Sequence, residues 1–433
     1  AVGYNAGIAV TTGVSNTLIG GLSGDVLTDA DQNVALGYAS LSSDTLGSNS
    51  VAIGYAALVA QNFTTATNSY NTAVGASAGA AITTGISNTL IGGLTGDALT
   101  DADQNVAVGN AALGTDTLGS KSTAIGTNAL ADQNFTTATD TYNTAVGYNA
   151  GAATTTGFNN VLIGALAGDA LTDADYNIVV GTSSLTTDTL GSRSTAIGYA
   201  ALHTQNFTTA TNTYNTAVGF NAGFAVTTGI ENTFIGGLTG SGNTTGLLNT
   251  VVGSSSFVDN TTGASNVAIG REALHANTTA SNNVAVGKHA LRANTTGNLN
   301  TAVGKDAGLA VTTGIQNTLI GGEAGDALTD ADFNLAVGLR ALGADTLGSR
   351  STALGYEALL AQNFTTATDT YNVAVGFQAG LAVTTGVNNT IIGGHAGDAI
   401  TTGERNTAVG SNSLTSNTTA AGNTAIGFKS LEN

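Results

Sequence analysis

Two adjacent apolar residues, preceded by Asn-Thr or a close variant and followed by Gly, recur along the whole chain in a 17-residue repeat. The pattern reads Asn-Thr-Ala-Val-Gly at Asn71 to Gly75, Asn143 to Gly147, Asn215 to Gly219, Asn300 to Gly304 and Asn406 to Gly410. Numbering each unit from its Asn, position 1 is Asn or Ser, positions 3 and 4 are always apolar, and position 5 is Gly in all 25 units. Position 13 is Thr in every 17-residue unit, as at Thr28, Thr100, Thr244, Thr295 and Thr418. Gly at fixed intervals, β-branched residues and Asn-Thr-Thr-Gly turns argue against helix and for short strands joined by tight corners. A fixed period of this size means that each unit is one supersecondary element, stable only when stacked on its neighbours. The pattern therefore predicts an all-β fold, a parallel β-solenoid of about 25 coils over residues 1–433, read as one continuous repeat domain. At roughly 4.8 Å per coil the stack would be on the order of 120 Å long. Asn at position 1 is expected to form an amide ladder, and Gly at position 5 a positive-φ corner.

Adjacent side chains in a strand point to opposite faces, so two consecutive apolar positions ask for burial on both. One face can be the coil interior. The other needs a cover, either a second sheet of the same coil or the same face of another chain. Position 3 is usually Ala, small enough for close approach around an axis, and this predicts homo-oligomerisation along the stack.

A longer period overlies the short one. Four 21-residue units, starting at Ser50, Ser122, Ser194 and Ser351, carry Gln-Asn-Phe-Thr-Thr-Ala-Thr. Three 17-residue units separate the first from the second and the second from the third, and eight separate the third from the fourth. Such insertions map to one face of a solenoid, often the binding face. Phe63, Phe135, Phe207 and Phe364, with the closing Tyr70, Tyr142, Tyr214 and Tyr371, are the candidate surface-contact residues. The alternative is that each Phe tucks back over its own loop.

Composition narrows the classes. The chain has 60 Gly, no Pro, Cys, Met or Trp, and a net charge of −18. Gly without a Gly-X-Y period excludes collagen, and fixed apolar positions exclude disorder. The acidic balance disfavours nucleic acid and anionic membrane as partners. No apolar run is long enough to span a membrane, and no signal peptide is visible. The chain opens within a motif at Ala1-Val2-Gly3 and stops within a unit at Asn433, so it reads as a segment of something longer.

Ser50-Val51-Ala52-Ile53-Gly54 and Asn266-Val267-Ala268-Ile269-Gly270 resemble the YadA-like head repeats of trimeric autotransporter adhesins. The Asn-Thr-Ala-Val-Gly…Ala-Leu…Asn-Thr-Thr-Gly variant resembles arrays in bacterial surface proteins and phage tail fibres. The resemblance implies a left-handed parallel β-roll, trimerised through its inner strands and displayed as an adhesive or host-contacting fibre on a cell or virion. This chain departs from the head pattern in its 17-residue unit, where about 14 residues are typical. It shows no neck, coiled-coil stalk or membrane anchor.

Candidate chemistry is sparse. Asp-Ala-Asp-X-Asn occurs at Asp29/Asp31, Asp101/Asp103, Asp173/Asp175 and Asp330/Asp332. It matches the first ligand positions of an EF-hand loop but lacks the glycine and the distal bidentate Glu. The next coil brings Asp44, Asp116, Asp188 or Asp345 two positions away, so a Ca²⁺ shared between coils is one reading. A solvated acidic turn, offset by Lys121, Arg193 and Arg350, is the other. The Thr column lacks the matching second column that ice binding needs, and corner hydrogen bonds are its expected role. His203, His275, His289 and His395 match no metal or triad spacing. The acids repeat with the scaffold and do not converge, so a polysaccharide-acting enzyme is disfavoured. The expected function is a structural or adhesive extracellular fibre, meeting itself and a surface glycan or host receptor. An end-to-end filament subunit is the alternative.

Overall fold

The computed structural model describes residues 1–432, in two compact units, Ala1–Asn215 and the described residues from Thr216 onward. Each is a parallel β-solenoid, with no helix among the described residues. In the first unit, three-residue strands run from Thr17–Ile19 to Thr195–Ile197, and in the second from Thr216–Val218 to Thr424–Ile426. Within each unit, every coil from Asn16 onward contributes one strand, at positions 2 to 4, in register with the next coil of that unit. Thr72, Ala73 and Val74 lie opposite Thr89, Leu90 and Ile91. Each 21-residue coil adds a second short pairing with the coil before it, as between Gly47–Ser48 and Thr67–Asn68.

Strand alternation assigns the two apolar positions. Position 3 points into the coil: Ala73, Leu90 and Phe234 are all fully buried. Position 4 points out, leaving Ile91 40% and Ile163 38% exposed. The expectation that the small position-3 residue approaches an axis between chains is therefore corrected. Ala is common there because the interior is narrow. Where position 9 carries Leu, as at Leu58, Leu113 and Leu130, position 3 is Ala in every unit but that of Val179 and Leu185; where position 9 is Gly, position 3 has room to grow. A Cβ on Gly24 would sit 2.8 Å from both Leu18 Cδ2 and Leu27 Cδ1, so volume at one position is exchanged for volume at another across the coil. Each buried leucine contributes roughly 1.5–3 kcal/mol.

The polar interior is hydrogen-bonded through position 1. The Asn71 Oδ1 accepts the Asn88 backbone N–H at 2.9 Å, while its Nδ2 donates to the Gly85 carbonyl at 2.7 Å. The ladder therefore runs mainly through side chain and backbone. Direct amide-to-amide bonds join it in places, as from Asn406 Nδ2 to Asn389 Oδ1 at 3.1 Å.

Corners use left-handed backbone. At position 5, Gly75 has φ +144°, and a Cβ there would lie 2.2 Å from the Gly92 carbonyl oxygen of the next coil. No other residue fits that column. Positions 7 and 17 also adopt positive φ with ordinary side chains, as at Leu94 (56°) and Gln104 (59°). Such residues cost about 1–2 kcal/mol each. Inter-coil bonds hold them, Leu94 N–H to the Ala76 carbonyl and Gln104 N–H to the Ile86 carbonyl, both at 3.0 Å. The Thr column donates to the next coil's backbone, as from Thr100 Oγ1 to the Thr117 carbonyl at 3.0 Å, the corner role expected of it.

Candidate functional site

The Asp-Ala-Asp turns act as ties between coils. Asp101 Oδ1 accepts the Thr84 hydroxyl at 2.7 Å, and Asp103 Oδ1 accepts the Ile86 N–H at 2.8 Å, both from the preceding coil. Asp173 and Asp175 take Thr156 and Phe158 in the same way, Asp29 and Asp31 take Thr12 and Val14, and Asp330 and Asp332 take Thr313 and Ile315. The intervening Ala30, Ala102, Ala174 and Ala331 are buried. Asp44, Asp116, Asp188 and Asp345 do not join these pairs, because position 12 points into the coil and all four are fully buried. Among the described residues, no three acidic or histidine side chains come together as a metal-holding group. Lys121, Arg193 and Arg350 also turn elsewhere. Lys121 Nζ reaches Asp140 at 2.6 Å, Arg350 Nε reaches Asp369 at 2.9 Å, and Arg193 Nε donates to Asn212 Oδ1 at 3.0 Å. Arg193 lies over the Tyr176 and Tyr214 rings, and Arg350 over Phe333 and Tyr371.

The 21-residue coils are built on a buried polar network that the repeat pattern did not reveal. Asp44 Oδ1 accepts the N–H groups of Gly47 at 3.0 Å and Phe63 at 3.1 Å, and Oδ2 accepts Gln61 Nε2 at 2.6 Å. Gln61 Nε2 also donates to Ser50 Oγ at 2.8 Å, and Gln61 Oε1 accepts Asn71 Nδ2 at 2.9 Å. The same constellation recurs at Asp116–Gln133, Asp188–Gln205 and Asp345–Gln362. Ser replaces Asn at position 1 of these coils because the glutamine amide occupies that space. Burial pushes the Asp44 and Asp188 carboxyls above the usual range, against the opposing pull of their hydrogen bonds. A signal was present: each insertion glutamine follows an Asp by one full 17-residue repeat.

This network also settles where the insertion residues point. Phe63, Phe135, Phe207 and Phe364 are buried, 5–7% exposed, so they tuck back beneath their loops and are not surface-contact residues. The Phe63 ring lies over Gly47, where a Cβ would meet its Cδ2 at 2.8 Å. Tyr70, Tyr142, Tyr214 and Tyr371 do face outward, at 52–59% exposure.

Two further surfaces stand out. In the second unit, position 7 carries an ion ladder: Glu272 meets Arg271 and Arg292 at 2.8 Å, His289 Nδ1 meets Asp306 at 2.9 Å, and Arg340 meets Glu357 at 3.1 Å. The same position in the first unit is neutral throughout, as at Leu22, Ser77 and Leu166. In both units, the outward strand face carries only uncharged residues at positions 2 and 4, mostly Thr, Val and Ile. Tyr38 and Tyr55 stack beside that face, with ring centroids 5.9 Å apart.

No protein family model and no curated protein matches this chain. No helix among the described residues is long and apolar enough to cross a membrane.

Proposed function

We propose that this chain is a structural element of an extracellular or surface-displayed fibre, adhesive in role, which assembles with copies of itself along the outward face of its strands. The observation that carries this reading is the column of β-branched position-4 residues, with Ile19, Ile91, Ile125, Ile235 and Ile392 at 38–41% exposure. Contiguous exposed apolar surface of this kind marks interaction sites. Net charge of −18 makes copies of the chain repel one another, and the strand face is where approach meets no charge. A trimer is the assembly expected from the resemblance to adhesin head repeats. In this reading the chain is not an enzyme, the carboxylates of its Asp-Ala-Asp turns being engaged in ties between coils. Contact with a surface glycan or host receptor would fall to the exposed Tyr70, Tyr142, Tyr214 and Tyr371 and the Thr-rich loops beside them.

Native mass measurement tests the assembly. The expected result is an oligomer that dissociates to folded monomer when Ile91, Ile125 and Ile163 are replaced together by Lys. A wild-type chain that stays monomeric across micromolar concentrations would sink the reading. Cleavage of a glycan by the purified chain would overturn its non-catalytic part.

A further inference from the structure

Every 21-residue coil carries Asn-Phe-Thr in its added segment, at Asn62–Thr64, Asn134–Thr136, Asn206–Thr208 and Asn363–Thr365. Asn-X-Ser/Thr, with X other than Pro, is the acceptor pattern for N-linked glycosylation. In a chain this rich in Asn and Thr the pattern alone says little. It also occurs at Asn243, Asn260, Asn277, Asn294 and Asn417, each followed by Thr-Thr, and at Asn388, followed by Asn-Thr.

Structure separates the Asn243 to Asn294 series from the Asn-Phe-Thr segments. Asn243, Asn260, Asn277 and Asn294 are fully buried at position 12. Their amides bond to one another through the coil interior: Asn260 Nδ2 donates to Asn243 Oδ1 at 2.6 Å, and Asn277 Nδ2 to Asn260 Oδ1 at 2.8 Å. A sugar has no room there. In the Asn-Phe-Thr segments the alternation runs the other way. Gln61 and Phe63 point in and are held by Asp44, which leaves Asn62 and Thr64 on the outside. Asn62 Oδ1 accepts the Thr45 hydroxyl at 3.3 Å, and Asn134, Asn206 and Asn363 accept Thr117, Thr189 and Thr346 at 3.4, 3.4 and 3.1 Å. The same hydroxyls donate more closely to the Phe63, Phe135, Phe207 and Phe364 carbonyls, at 2.9, 2.8, 2.9 and 2.7 Å, so each amide oxygen takes only the longer branch of a shared bond and the four asparagines stay exposed.

We propose that Asn62, Asn134, Asn206 and Asn363 are N-glycosylation sites of the folded chain. The co-substrate is a sugar activated as a phosphate or pyrophosphate ester at its anomeric carbon, acted on by a glycosyltransferase. The asparagine Nδ2 forms a bond to that carbon, and the carbon–oxygen bond to phosphate breaks. The phosphate group leaves with the electron pair, and one amide proton passes to a base of the transferase. Folding before modification spares the buried Asn243 series, whose glycosylation would block coil closure. In the first unit the three sites recur every four coils, roughly 19 Å apart at the spacing of stacked strands. The proposal does not depend on self-assembly.

Peptide mapping by mass spectrometry tests it, on the full chain isolated from cells that naturally make it. The expected result is sugar on Asn62, Asn134, Asn206 and Asn363, with Asn243, Asn260, Asn277 and Asn294 bare. Bare asparagine at all four sites would overturn the proposal, as would sugar on Thr64 or Thr65 in place of Asn62, or on the buried series. A second chain, expressed in the same cells, carries Thr64→Ala, Thr136→Ala, Thr208→Ala and Thr365→Ala. These threonines are exposed and lie outside the hydrogen bonds that hold each segment, so this chain should fold unchanged and lose the sugar. Sugar retained on its asparagines would overturn the assignment equally.

Discussion

The coils around Asp188 and those around Asn260 place a polar side chain at the same interior position and satisfy it in opposite ways. Asp188, in the first unit, brings a carboxylate inside and surrounds it with three donors: Gly191 N–H, Phe207 N–H and Gln205 Nε2. The stretch from Asn243 to Asn294, in the second unit, uses amides that donate to one another and to a nearby carbonyl. The difference follows coil length. A 21-residue coil must anchor an added segment whose Gln and Phe both offer N–H donors, and a carboxylate accepts all of them. Successive 17-residue coils offer a donor and an acceptor each, and a neutral ladder passes hydrogen bonds along without desolvating a charge.

Removing these groups should therefore cost different amounts. Asp188→Ala leaves three buried donors without an acceptor, and the loss should be on the order of 3–5 kcal/mol. Asn277→Ala should cost only about 1–2 kcal/mol, since its neighbour Asn294 keeps the Gly297 carbonyl as a partner. In a stacked repeat the damage stays near the altered coil. Hydrogen exchange resolved to the coils on either side is the measurement, and equal losses at the two sites would remove the distinction.

Acid should sharpen the same contrast through its sign. The folded Asp188 and Asp44 carboxyls have pKa values raised by burial, so the native state binds protons more readily than the unfolded chain does. The stability they contribute is fully present below the ordinary carboxyl range and is lost as pH rises through the raised folded value. Glu272, held down by Arg292 and Arg271, and Asp306, where burial is outweighed by Lys305 and His289, behave in reverse. Their contribution is present above the ordinary range and is lost as pH falls through the lowered value. Lowering pH from 7 to about 4 should protect the coils next to Asp188, and lowering it further, below the ordinary carboxyl range, should loosen those next to Glu272. Hydrogen exchange corrected for intrinsic pH dependence reads both, and movement in one direction at both sites would refute the assignment.

Much of the fold was legible because its physics is periodic. Gly at position 5 recurs in every unit and Thr at position 13 in every 17-residue unit, and both meet the next coil's backbone in the way the repeat implies. The direction of individual side chains was harder to read. Counting apolar positions showed that both strand faces are apolar, but not that position 3 is the inward one; that follows from its volume exchange with positions 9 and 12. Phe63, sitting in an insertion, reads equally as a surface aromatic and as one tucked over its own loop. The residue that buries it, Asp44, lies 19 positions earlier and comes alongside only when coils stack. Asp44 itself looked like a partner of the Asp29 turn until its inward position removed it.

The outer faces of the two units give the smallest expected effect. Position 7 of the second unit strings Glu272, His289, Asp306, Glu323, Arg340 and Glu357 along successive coils, while the first unit has only neutral side chains there. The chain's basic residues divide accordingly, with Lys121 and Arg193 the only two before Asn215. The cations of the ladder are largely exposed, Arg271 at 65% and Lys305 at 61% of their side-chain surface, so solvent and salt screen each pair. Exposed pairs contribute little singly, and a linked column only modestly more. Raising salt to about 1 M shortens the screening length to roughly 3 Å. Protection should then fall by roughly twofold or less in the coils from Asn266 to Asn372. The neutral position-7 face from Asn16 to Asn105 should not lose protection, and relief of repulsion among its uncompensated aspartates should raise it slightly. Salt should thus separate a face held by paired charges from one that merely carries unpaired ones. A uniform response along the chain would mean that the ladder adds nothing beyond net charge.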